Sequence, residues 1–133
     1  MNPSSEREAV SPTGNVLAQS RVFHLDQMPV RKMANGGRSW DVVRGVLATG
    51  EAIAIHESEQ PAGLAPNPAH TIEHTEFITI IEGTVEFVYD GKTEPVGPGG
   101  VLYVARGTMH QVKNIGDGPA RYVVVSIGGD VRW

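Results

Sequence analysis

The chain contains no cysteine. That one absence excludes disulfides, thiolate-held zinc, iron–sulfur clusters and thiol nucleophiles. Aromatic residues make up only 6% of the 133 residues, and nowhere do about 18 apolar residues follow one another, so no membrane-spanning helix is expected. An excess of positive charge is missing as well. Eleven Lys and Arg stand against fifteen Asp and Glu, a formal net charge of -4, and the charges are mixed along the chain with no basic block. Nucleic acid and anionic membrane surfaces are therefore not expected as partners. No segment carries apolar residues at i, i+3 and i+4 over three turns, which argues against long helices. There is no Gly-x-Ser-x-Gly elbow for a hydrolase nucleophile. The GPGGV run at 97–101 lacks the Gly-Lys-Ser/Thr that would make it a phosphate loop.

What the chain does have is punctuation. Sixteen Gly and nine Pro divide a 40% hydrophobic sequence into short pieces. The length predicts one domain. Residues 1–20 read as a flexible N-terminal arm, with two prolines, Gly14 and several Ser and Glu. They show no basic stretch followed by an apolar one, so they do not read as a secretory signal. Residues 21–133 read as a single β domain. Its strand candidates are 21–25, 42–49, 51–57, 76–82, 84–90, 101–105, 110–114 and 120–127, and 60–69 is a proline-rich loop. Asp90-Gly91 is a two-residue hairpin turn of the kind that needs positive φ at both positions. Roughly eight to ten short strands spaced in this way predict an all-β sandwich or barrel.

Chemistry concentrates at the histidines, of which there are five. His70 and His74 sit with Glu76 in one short segment, HTIEHTE. If that segment is extended throughout, residues 70, 72, 74 and 76 share a face, because strand side chains alternate. His110 opens a second strand later in the chain. Imidazole and carboxylate donors without sulfur suit a divalent Fe, Mn, Ni, Cu or Zn ion. Placed against this is the plainer reading that Glu76 hydrogen-bonds His70 or His110 in a metal-free cavity. His24 and His56 stand outside these segments, and neither is expected to have a catalytic role; the alternative for His56 is an approach to the cavity from the neighbouring strand.

These segments carry a resemblance. The region from about Ala65 to Gly129 resembles the cupin superfamily, small jelly-roll barrels also described as double-stranded β-helices. Glu76 is followed by six residues and Gly83, the ending of the first cupin motif. The second motif is matched by Gly99, five residues, Ala105-Arg106-Gly107, two residues, His110, three residues and Asn114. Alanine at 105 replaces the motif's proline, and Ile72 stands where the motif has its second histidine. The resemblance thus implies a metal set of His70, Glu76 and His110, with His74 as a candidate fourth ligand, and it implies Asn114 as a structural group at a strand end.

Two functions remain open at this point. One is a mononuclear metal-dependent enzyme of dioxygenase, isomerase or lyase type acting on a small molecule in the barrel. The other is a non-catalytic ligand-binding or sensing cupin whose metal site is degenerate because of Ile72. Open sheet edges and the resemblance both point to a homodimer, with the arm and the 21–25 strand as the segment that crosses over and Val131-Arg132-Trp133 as candidates for the barrel base or the interface. A chain without cysteine or a signal is expected to be a soluble cytoplasmic protein.

Overall fold

The computed structural model describes residues 16–131. The arm up to residue 15 and Arg132-Trp133 lie outside the described residues. Among the described residues, eleven strands and one short 3-10 turn, Leu25–Gln27, make up the regular structure. In chain order the strands are β1 Val16–Leu17, β2 Val30–Lys32, β3 Arg38–Leu47, β4 Ala52–Gln60, β5 His70–Thr71, β6 Thr75–Glu82, β7 Val85–Tyr89, β8 Lys92–Val96, β9 Val101–Val104, β10 Met109–Asn114 and β11 Ala120–Ile127. The fold is the all-β barrel of two facing sheets that the punctuation predicts.

The larger sheet has seven strands. Six of them run in the order β1-β3-β4-β11-β6-β9, and β2 pairs with β3. The smaller sheet runs β5-β10-β7-β8. Alternation decides which side chains enter the space between the sheets. Along β11, every second residue from Ala120 to Ser126 is buried. Register then aligns inward positions across strands: Val124 faces His56 of β4 on one side and Ile78 of β6 on the other. Ile72, Ile78, Ile80, Val85, Phe87, Leu102, Val104, Ala120, Tyr122 and Val124 form the apolar core. The β7–β8 hairpin closes at Asp90 and Gly91 with φ of 48° and 72°, so both central residues of the turn take the positive values that Asp-Gly supplies.

Three expectations need correction. Residues 21–24 form no strand, and the chain leaves them for the 3-10 turn. Three strands that local pattern does not announce are present, β1 within the expected arm, β2 and β8. β8 is the outer strand of its sheet, where Pro95 and a polar sequence are tolerated.

The third correction concerns the site. Segment 70–76 is not one extended strand. It pairs as β5, bends at Glu73 and His74, and resumes as β6 in the other sheet. The bend is held from elsewhere in the chain: Gly107 N–H donates to the Ile72 carbonyl at 2.8 Å, and Asp130 N–H donates to the Glu73 carbonyl at 3.1 Å. Residues 70, 72, 74 and 76 therefore do not share one face.

Candidate functional site

One cavity of about 290 Å³ opens between the sheets. Strand register gathers its walls. His70 lies opposite His110 across β5 and β10, and Glu76 lies opposite Ser126 across β6 and β11. From β4 come His56, Ser58 and Gln60, and from β10 come Gln111 and Val112. Asn67 and Pro68 of the proline-rich loop reach its rim, where Gln111 Nε2 donates to the Asn67 carbonyl at 2.9 Å and holds the loop in place.

The structure thus brings His70, Glu76 and His110 to one cavity. The His70 and His110 ring centroids are 4.7 Å apart. His110 is 3% exposed, and its Nδ1 donates to the Thr108 carbonyl at 3.1 Å. A carbonyl only accepts, so Nδ1 carries the proton and the neutral ring leaves a lone pair on Nε2. That Nε2 stands 4.0 Å from Glu76 Oε1, too far for a hydrogen bond. Burial lowers the His110 pKa, against the opposing pull of the Thr108 bond, so the ring is held neutral.

Glu76 is bound from its other side. Its Oε2 lies 2.7 Å from His74 Nε2, and His74 Nδ1 lies 2.6 Å from Asp130 Oδ1. Ser126 Oγ donates more weakly to the same Glu76 oxygen at 3.4 Å. Burial works to lower the His74 pKa, but the hydrogen bonds to Glu76 and Asp130 outweigh it and the net shift is upward. An imidazolium between two carboxylates is the result. The bend at Glu73–His74 makes this possible by turning His74 back toward Glu76. Glu76 bonds neither His70 nor His110, in contrast to the metal-free alternative read from the sequence.

The donor set can be tested against the metal it implies. Adjacent nitrogen and oxygen ligands of one ion, held at about 2.0–2.2 Å, lie roughly 3–3.5 Å from each other. The 4.0 Å gap between Glu76 and His110 is wider, and Glu76 Oε2 already serves His74. Ile72, at the position of the motif's second histidine, is 5% exposed and belongs to the apolar core. Among the described residues no three His, Asp or Glu side chains gather in a way that could hold an ion. As folded, the four-ligand centre does not form.

Several cavity residues escape a motif reading. His56 lines the cavity, and burial pushes its pKa down. Gln60 Nε2 donates to the Tyr122 hydroxyl at 2.6 Å and to the Val112 carbonyl at 3.3 Å. At the mouth, Arg31 makes a two-pronged ion pair with Asp41, Nε to Oδ2 at 3.0 Å and Nη2 to Oδ1 at 2.9 Å. The signal for the β4 residues was the alternation of Ala52, Ala54, His56, Ser58 and Gln60 against Ile53, Ile55, Glu57 and Glu59. Small and polar side chains on one face suit a cavity wall, but which face turns inward depends on partners far away in sequence. Asn114 does act structurally, with Nδ2 donating to the carbonyls of Gln60 and Gly118, each at 2.9 Å.

Comparison with known proteins agrees with this architecture. No curated protein matches the chain. An RmlC-like cupin from Shewanella frigidimarina superposes with a TM-score of 0.70 at 14% identity, covering 86% of this chain and 96% of that one. A Cupin 2 conserved barrel domain protein from Salinispora arenicola gives 0.63 at 24% identity, covering 81% and 88%. A protein described as a predicted oxalate decarboxylase from Thermotoga maritima gives 0.67 at 18% identity, covering 80% and 98%. At these identities the likeness is one of fold. The family model of the cupin domain matches residues 55–126, just over half of the sequence, and this chain belongs to the cupin domain family.

Proposed function

We propose that this protein binds a small molecule in the barrel cavity and does so without a tightly held metal ion. The observation that carries this reading is the Asp130–His74–Glu76 chain of hydrogen bonds. It gives Glu76 a protonated partner in place of a metal, while Ile72 fills the position of a ligand with core packing. Ile78, Val112 and Val124 offer the ligand an apolar wall, and Glu76, His110, His70 and Gln60 supply polar groups. Elemental analysis of protein purified without a metal-affinity tag tests the proposal. It predicts less than about a tenth of an equivalent of Fe, Mn, Ni, Cu or Zn per chain, since unmet affinity leaves the site empty after dialysis. Close to one equivalent of any of them would refute it.

A second reading keeps one such ion on His70, Glu76 and His110, with dioxygenase, isomerase or lyase chemistry. What favours it is His110: with its proton on Nδ1, its free Nε2 lone pair stands near Glu76, as a ligating histidine requires. The description of the Thermotoga relative as a predicted decarboxylase also keeps an enzyme in view.

The same proposal takes residues 21–133 as the folded unit and 1–20 as its arm, of which Val16 and Leu17 lie parallel to Val46 and Leu47. It places the chain in the cytoplasm, in keeping with a sequence that has no cysteine for disulfides; no helix among the described residues is long and apolar enough to cross a membrane. It also pairs the chain with a second copy. β9 ends its sheet, and Phe77, Ile81, Val101 and Tyr103 stand exposed on β6 and β9, the two rings 5.2 Å apart.

A further inference from the structure

The cavity has a second polar end, away from Glu76 and His110. Three neighbouring strands build it, with Arg31 from β2, Ser39 from β3 and His56 from β4 on the wall. Register sets Arg31 beside Ser39, and Asp41 beside His56. From β2 the sheet passes through β3, β4 and β11 before it reaches Glu76 on β6, four strand spacings or about 19 Å along the curved sheet. The two ends are therefore distinct.

Each of the three residues keeps an uncommitted donor. Asp41 takes Nε and Nη2 of the half-exposed Arg31 fork, at 3.0 and 2.9 Å, and leaves Nη1 without a partner among the described residues. Ser39 is 2% exposed; its Oγ accepts from Arg31 Nη2 at 3.5 Å, and its own hydrogen has no acceptor among the described residues. His56 makes no hydrogen bond among the described residues, and its imidazole carries at least one N–H in either charge state. Held by Asp41, the guanidinium presents its open hydrogens in a fixed orientation. Charge at this end also favours an anion. Arg44, without an ion-pair partner among the described residues, lies with Asp41 and His56 around the adjoining groove, so two arginines stand against one carboxylate.

Resting on the cavity reading above, we infer that Arg31, Ser39 and His56 form a carboxylate subsite at the mouth and that the ligand is a small organic acid. A carboxylate only accepts hydrogen bonds, and this corner offers it donors on three sides. Guanidinium and carboxylate are both planar, and their charge-assisted hydrogen bonds are about twice as strong as neutral ones. Arginine stays protonated in proteins, so the preference does not depend on a titration. Ile78, Val112 and Val124 would cover the apolar body of the acid. Size is consistent with this class: the cavity of about 290 Å³ is roughly twice the ~150 Å³ that accommodates benzene in an apolar site.

Benzoate and benzamide form a matched pair of probes, alike in shape and different in charge. The full chain, treated with chelator and dialysed, is titrated with each while the histidine ring resonances and the Arg31 Nε–H resonance are followed by NMR. Benzoate is expected to bind at least about tenfold more tightly than benzamide. Arg31→Gln is expected to cut that preference to about twofold or less while benzamide binding stays within about twofold. Equal or tighter binding of benzamide would overturn the inference and leave the cavity reading standing. So would a preference for benzoate that survives in Arg31→Gln with an unchanged melting curve. If the variant is destabilised, the wild-type Arg31 Nε–H resonance decides: it is expected to move with benzoate and not with benzamide, and a resonance unmoved at saturating benzoate would overturn the subsite. Benzoate binding that appears only on adding a divalent metal would place the carboxylate at the other end, against both the subsite and the metal-free reading. No shift of the His56 or His110 ring with either probe at millimolar concentration would overturn the cavity reading itself.

Discussion

Glu76 is bound on one oxygen and open on the other, and that division decides how the site behaves. His74 and Asp130 hold the carboxylate in place, so its free oxygen is presented to the cavity in a fixed position. His56, across the cavity, is a different case. Burial is the main cause of its lowered pKa, with the charges of Arg31 and Arg44 adding to it and those of Glu76 and Asp41 opposing it. The unfolded chain takes up a proton there below about pH 6.5, whereas the folded chain resists. The unfolded state therefore gains protons first, and stability is lost as pH falls below that value. His56→Gln is expected to flatten this loss, so that its melting temperature drops less than that of the wild type between pH 7.5 and 5.5. A steeper drop in the variant would show that His56 is charged in the fold.

At the level of elements, the bend between β5 and β6 does more for the site than either strand. Gly129 makes it possible. Its φ is +55°, and a Cβ placed there would lie 1.8 Å from the Glu73 carbonyl oxygen and 2.9 Å from the His74 Cα. Those atoms are backbone and cannot step aside. Gly129→Ala is expected to cost about 3 kcal/mol or more in denaturant unfolding, since it displaces the backbone of Glu73 and His74. Gly118→Ala, where a Cβ meets nothing within 4 Å, is the control and is expected to stay within about 0.5 kcal/mol of the wild type. Equal losses in the two variants would remove the bend from the account.

The same elements show what was legible in the sequence. Residues 120–127 alternate cleanly and form β11 over that range, and Asp90-Gly91 turns as its chemistry requires, because both signals are local. β8 reads as polar with a proline and pairs only because β7 precedes it through a tight turn. The 70–76 segment reads as extended because Gly107, Gly129 and Asp130, which bend it, come later in the chain. His70, Glu76 and His110 could be named from motif spacing, and they do meet at one cavity. The partnership of His74 with Glu76 could not, since a distant turn creates it, and His56 could be named only as an alternative, since register decides its place on the wall.

Taken whole, the molecule is a barrel with one furnished cavity and one bare apolar edge. Among the described residues, exposed aromatic and aliphatic side chains on β6 and β9 sit beside a strand edge with no further partner. Light scattering is expected to give twice the 14.3 kDa of one chain, and a mass of one chain at working concentration would contradict the pairing. Ile72 packs in the apolar core, so the motif alone does not carry the family's four-ligand set onto this chain. Ile72→His would place a polar ring in that core, not beside Glu76.

The central claim, a ligand cavity that works without a resident metal, is tested most directly by thermal unfolding in the presence of metal ions. An ion at a hundredfold excess over its Kd would add about 2.7 kcal/mol, which is roughly 5 °C or more for a domain of this size. The account predicts that Fe(II), Mn(II), Ni(II), Cu(II) and Zn(II), each added to chelator-treated and dialysed protein, shift the midpoint by less than about 1 °C. A rise of several degrees with any one of them, lost in Glu76→Gln and in His110→Gln, would contradict it and restore the metal centre.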